Sequence, residues 1–236
     1  MKKEVYRSED RGKANLGWLD TKYSFSFAGY YNPKMMHFGM LRVLNDDIIN
    51  PAMGFGTHPH NNMEIITIII DGQLEHKDSI GIGSVIYKDE VQVMSAGSGI
   101  THSEFNPSEE ERVNLLQIWI FPKEDNIKPR YDQKLFSAAE RKNKLIPAVS
   151  GYKKEGSLYI HQDAEIYLGS FDKGKTINYK LNNTEHGAYI FLIEGNIKVL
   201  DEDLFRRDAI GITEQSEFTI ETVEESYFII IDVPMN

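Results

Sequence analysis

Cysteine is absent from all 236 residues, which removes disulfides, thiolate zinc sites, iron–sulfur clusters and cysteine nucleophiles together. Nowhere does the run of roughly eighteen apolar residues that a membrane helix requires occur. The N-terminal stretch "MKKEVYRSED" is charged with no apolar segment behind it, so neither export nor insertion is expected, and the cytoplasm is the expected compartment. No lysine- or arginine-rich stripe stands out either. With 26 basic residues against 36 acidic ones, a formal charge of −10, direct nucleic-acid binding is not expected. The glycines of "GSG" at 97–99 are followed by no lysine or helix start, so they are not a phosphate loop. What remains is an ordinary globular composition, 41% hydrophobic and 26% charged, long enough to bury the core of one large or two smaller domains. Chemistry falls to histidine and carboxylate.

The texture is all-β. Short runs such as "EIITIIIDGQLEH", "LLQIWIFP", "AYIFLIEGNIKVL" and "SYFIIIDVP" are broken by glycine, asparagine or aspartate, the rhythm of strands and turns. Only "QKLFSAAERKNKL", positions 133–145, reads as a helix, being rich in good helix formers and free of β-branched residues. It follows "FPKEDNIKPRYD" and predicts a short helical connector between two β-rich halves. The expected units are residues 1–130, a connector at 131–145, and residues 146–236. The halves resemble each other: "EIITIIIDGQLEH" has its counterpart in "AYIFLIEGNIKVL", and "YKDEVQVM" in "FRRDAIGI", which pairs Gly72 with Gly195 and Asp89 with Asp208. That alignment puts Leu181 and Asn183 where His58 and His60 stand, so a metal is expected in the first half only.

The metal expectation comes from two i, i+2 pairs. In a strand, alternate side chains share a face, so His58 and His60 of "GFGTHPHNN" point together, as do His102 and Glu104 of "SAGSGITHSEFN". Two such pairs facing each other give three neutral imidazoles and one carboxylate, a donor set for iron, manganese, nickel, copper or zinc with positions left open for water and substrate. Glu64 lies four residues after His60, and strict alternation would keep it on the same face. Spacing alone therefore leaves two carboxylates in play, with the i+2 relation to His102 favouring Glu104.

The order glycine-rich turn, H-x-H, x3, E, then G-x2-H-x3-N (Gly99, His102, Asn106) resembles the two signature motifs of the cupins, small double-sheet β-barrels. "GFGTHPHNNMEIIT", "LEHKDSIG", "VQVMSAGSGITHSEFN" and "LQIWIFP", with "FGMLRVLND" upstream, look like the pirin family of two-domain cupins. The dense agreement spans the first half. The resemblance implies a bicupin of two jelly-roll barrels with a metal-free C-terminal half, and ligands His58, His60, His102 and Glu104, Glu104 also serving as catalytic base. Glu64 would then stand behind a ligand and orient it. It further implies a quercetin 2,3-dioxygenase-like activity that opens the ring of a flavonol or related aromatic or enol substrate with dioxygen. Ferrous iron is the first expectation, with manganese, nickel, cobalt, copper or zinc compatible. The alternative, also implied by resemblance, is a metal- or redox-responsive regulatory protein. A monomer is expected. Two departures bear on the pocket: Tyr23 stands where a pirin would carry histidine, and "YKDE" lacks a proline-glycine turn.

His37, His76, His161 and His186 are assigned structural or surface roles, His76 as a residue near a turn. Methionines 35, 36, 40, 53, 63 and 94 gather near the ligand segments, where they could form a pliable pocket wall or plain core filling.

Overall fold

The computed structural model describes all 236 residues, and strands account for its architecture. The first twelve are β1 (Lys2–Tyr6), β2 (Gly12–Asn15), β3 (Leu19–Tyr23), β4 (Leu41–Ile49), β5 (Gly54–His60), β6 (Glu64–Asp71), β7 (Gln73–Asp78), β8 (Gly83–Tyr87), β9 (Glu90–Ser95), β10 (Ile100–Phe105), β11 (Val113–Ile120) and β12 (Arg130–Leu135). Ten more follow: β13 (Lys144–Ser150), β14 (Leu158–Tyr159), β15 (Glu165–Phe171), β16 (Thr176–Lys180), β17 (His186–Glu194), β18 (Asn196–Val199), β19 (Glu202–Phe205), β20 (Ala209–Thr213), β21 (Glu217–Thr222) and β22 (Ser226–Pro234). One barrel consists of a seven-stranded sheet, β12-β9-β6-β11-β4-β3-β2, and a four-stranded sheet, β5-β10-β7-β8. The second repeats the plan with β1-β20-β17-β22-β15-β13-β14 and β16-β21-β18-β19. The strand β1 thus leaves its own half and pairs antiparallel with β20, Lys2 opposite Thr213 and Tyr6 opposite Ala209.

Continuous apolar strands such as β6 make sense once both faces are buried. Ile66 and Ile68, with Val91, Val93, Leu116 and Ile118, meet Ala148, Ile166, Leu168, Phe191, Ile229 and Ile231 in one buried cluster of 26 residues. The two large sheets therefore pack on each other, and the alternate residues face inward. The interiors differ. The second barrel is filled by a single cluster of 16 buried residues, Leu181 among them. In the first, the apolar filling is split into clusters of seven and four residues. Between them, inward positions of four adjacent strands carry Asn45, Gln117, Thr67 and Gln92, paired in register across the sheet. A polar row thus crosses the barrel where apolar packing would otherwise continue.

The connector is not helical. Residues 130–135 form β12, which pairs with β9 so that Gln133 meets Gln92, and β13 begins at Lys144. The S-x-x-E helix-start signature is present, with Ser137 N and Oγ both donating to Glu140, but only a turn forms. Phe136 is buried in the inter-sheet core, and Arg141 is held by Asp89 Oδ1 at 2.7 Å and stacked over the Tyr227 ring. Spanning two sheets requires extended chain, and those contacts override a propensity worth a few tenths of a kcal/mol per residue. The internal repeat also shifts by one residue. Gly72 and Gly195 do occupy matching left-handed turns, at φ 81° and 97°, where a Cβ would meet the carbonyls of Arg112 and Glu225. The left-handed equivalent of Asp89, however, is Arg207, since their amides bond the carbonyls of Ile69 and Leu192, each three residues before its glycine.

Candidate metal centre

The strand β10 pairs with β5 on one side and β7 on the other, setting His102 opposite both His58 and Asp78, and Glu104 opposite His76. All these side chains share the inward face. His58, His60 and His102 have ring centroids 4.4 to 4.9 Å apart, and one potential donor atom from each lies within 4.8 Å of the others. A second group within the same limit consists of His76, His102 and Glu104. The cluster grades inward: His58 and His60 are partly exposed at the mouth, whereas His102, Glu104 and His76 are buried.

Hydrogen bonding fixes the rings for coordination. His58 Nδ1 lies 2.8 Å from the Gly56 carbonyl, which can only accept, so Nδ1 carries the proton and Nε2 is left bare. His102 Nε2 is buried without a partner. Gln117 Nε2 donates to both oxygens of Glu104 at 3.2 Å, and Thr67 Oγ1 donates to Gln117 Oε1, which ties the carboxylate to the polar row. Burial keeps His60 and His102 neutral. It holds His60 down to about 4, His58 helping, and with the neighbouring histidines it holds His102 down to about 2. The same desolvation raises Glu104. A buried carboxylate and a bare imidazole nitrogen in one polar cluster fit a divalent cation, which would satisfy both at once.

Glu64 is elsewhere. Between His60 and Glu64 the chain leaves one sheet for another through Asn62, whose φ is 47°, and that bend cancels the alternation argument. Glu64 shares the face of Ile66 and Ile68, toward the second barrel, while Ile65 faces the metal side. It accepts a hydrogen bond from Ser95 Oγ at 2.7 Å and lies 3.7 Å from His161 Nδ1 of the other half, and it does not stand behind a ligand. Desolvation lifts its carboxyl to about 7. A raised carboxyl pKa contributes stability below the unfolded value of 4.5 that is lost as pH rises through about 7. Glu64→Gln should therefore gain on the wild type between pH 5 and 8.5, by about 1–3 kcal/mol or a few degrees in Tm. Paired thermal melts across that range check it, and a constant difference would refute it.

Other assignments change with the fold. His76, read as a turn residue, is buried beside His102 and Glu104. The signal was available, since His76 and Asp78 are another i, i+2 pair. Thr67 and Gln117 were equally readable as lone polar residues within "EIITIIID" and "LLQIWI". The methionines divide: Met63 and Met94 lie with Trp119 at the site, Met35 and Met40 pack into the inter-sheet core, and Met53 is exposed. Trp119 lies nearly perpendicular to the His60 ring at 5.0 Å and meets Phe27 at 5.2 Å, giving the mouth an aromatic wall. Both potential metal-holding groups belong to the first barrel.

Comparison with known proteins agrees with this layout. Residues 5–120 match the family model described as Pirin, and residues 148–233 that of the quercetinase C-terminal cupin domain. The chain is 40% identical over 228 residues to the quercetin 2,3-dioxygenase of Escherichia coli K12, covering 97% of each. It is 39% identical over 222 residues to a pirin-like protein of Caulobacter vibrioides, 94% of this chain and 95% of that one. The crystal structure of the bacterial pirin YhhW from E. coli in complex with nickel(II) superposes with a TM-score of 0.94 at 39% identity, covering 99% of both chains.

Proposed function

The chain belongs to the pirin family, and from that premise we propose that it is a metal-dependent oxidoreductase of the quercetin 2,3-dioxygenase type, opening a flavonol or a related aromatic enol with dioxygen. The observation that carries the reading is the meeting at His102 of two potential donor groups, one with His58 and His60 and one with the buried carboxylate Glu104, in the less completely filled barrel. His58, His60, His102 and Glu104 are the proposed ligands. Ferrous iron is the proposed resident, and the nickel carried by the E. coli relative suits the same nitrogen-rich set. Bound there, such a metal supplies Lewis acidity and redox capacity toward a substrate oxygen and dioxygen.

The protein's own groups do the rest. Trp119 and Phe27 offer flat faces and edges at the mouth, suited to orienting a planar ring. Glu104, with a raised pKa, takes the proton of the substrate hydroxyl, and the donation from Gln117 keeps it aimed. The buried side of the site excludes water from the reacting oxygen.

Elemental analysis of freshly purified protein, with flavonol turnover and oxygen uptake measured under air and under argon, tests the reading. One metal per chain and oxygen-dependent loss of flavonol are expected. Two metals per chain, or turnover unchanged by metal removal, would overturn it.

A further inference from the structure

We infer that His76 and Asp78 form a relay that dictates which nitrogen of His102 is bare, and so prepares that residue to bind metal. The inference rests on the proposed ligand role of His102. His76 Nε2 lies 2.9 Å from Asp78 Oδ2, and its Nδ1 lies 3.4 Å from His102 Nδ1. Both His76 and the Asp78 side chain are fully buried. An ionised carboxylate can only accept, so His76 Nε2 carries a proton, and in a neutral ring its Nδ1 is then bare. A bare Nδ1 can only accept in turn, so His102 must be protonated on Nδ1. That leaves His102 Nε2, the buried nitrogen with no partner, unprotonated.

The relay is rigid at its far end. Asp78 Oδ1 accepts the backbone amides of Ile80 and Ile82, each at 3.0 Å, which reserves Oδ2 for His76. The loop after Asp78 is fastened to β10, Ser79 N donating to the Thr101 carbonyl and Thr101 N to Ser79 Oγ. The Tyr131 ring packs on His76 at 4.7 Å, limiting its rotation. The role is positioning: His76 touches a ligand, and Asp78 acts through His76.

Asp78→Asn separates this role from packing. The two backbone amides claim the amide oxygen, so the NH2 group faces His76 Nε2 and donates. His76 then carries its proton on Nδ1 and donates to His102 Nδ1, forcing the His102 proton onto Nε2, where it blocks the metal. Zinc affinity, measured by chelator competition, should fall about tenfold to a hundredfold. Adding His76→Gln, whose amide can rotate to accept from His102, should restore most of it. In the metal-free wild type, 15N imidazole spectra should show His102 protonated on Nδ1 and His76 on Nε2, with both reversed in Asp78→Asn.

The opposite tautomers in the wild type, or unchanged affinity in a folded Asp78→Asn, would overturn the relay. Four imidazoles on zinc by X-ray absorption would overturn it too, by making His76 a ligand. If the tautomers are as stated but the wild type binds no zinc, the ligand reading of His102 fails instead, and the relay's purpose with it.

Discussion

Replacing Glu104 by glutamine should strip most of the bound metal and lower flavonol turnover by at least about a hundredfold, while leaving the barrel folded. The substitution keeps the size and one oxygen donor but removes both charge and basicity, so on the proposed roles of Glu104 it weakens a ligand and deletes the group that would receive the substrate proton, a contribution of about 10²–10⁴-fold by itself. Folding should survive because Glu104 is a desolvated carboxyl with a raised pKa. Its ionised form costs the metal-free protein stability, and Gln117 can turn its own amide to meet another amide. Glu64→Gln is the matched control, placed on the far side of the sheet and bonded to Ser95. Metal stoichiometry and turnover of the two variants, at equal folded fraction by circular dichroism, should differ sharply. Equal metal loss in both would return the carboxylate ligand to Glu64.

Metal should persist to a lower pH than ordinary imidazole ligands allow. A free histidine titrates near 6.5, so proton competition alone would begin to empty the site below about pH 6. Burial and mutual repulsion hold His60 down to about 4 and His102 to about 2. Each depressed pKa means a neutral side chain, still able to coordinate, throughout the window in which the unfolded chain takes up protons. The metal content should hold at pH 5 and be lost by about pH 3.5. The same shifts make the metal-free fold lose stability as pH falls through 6.5 toward 4, because the unfolded state binds more protons there. Metal content after gel filtration at half-unit steps, followed alongside far-UV circular dichroism, checks both. Half the metal gone at pH 6 from a folded protein would mean that these imidazoles are not shielded.

Much of this is legible in the sequence. Strand alternation predicts which faces His58, His60, His102 and Glu104 share, and each of those strands runs straight through its pair apart from the register shift between His102 and Glu104. Alternation failed at Glu64 because it holds only within one strand, and a single left-handed residue, Asn62, separates two sheets. The connector misled for a related reason: local propensity describes an isolated segment, whereas residues 130–150 are pinned at Phe136 and Arg141 between sheets built from distant parts of the chain. His76 was hidden by its neighbours. "LEHKDS" looks polar enough for a turn; the i, i+2 spacing of His76 and Asp78 allows a shared face, and pairing with β10 makes that face the inward one while Glu75 and Lys77 point out.

The exchange of β1 into the second barrel has a kinetic corollary. Lys2 and Thr213 are opposite partners, and Ser8 N and Arg7 reach Asp208 as well, so β1 is paired to strands that are made long after it. Their ladder cannot form until every strand from β2 to β20 has been made. Closing so long a loop adds only about 0.6 kcal/mol per doubling of length, a modest equilibrium penalty. Its effect on rate is larger, because pairings of high sequence separation slow folding. Until β1 arrives, the edge of β20 presents unpaired amides and carbonyls, an invitation to another nascent chain. The site-bearing barrel, whose strands β2 to β12 are contiguous in sequence, is free of that wait.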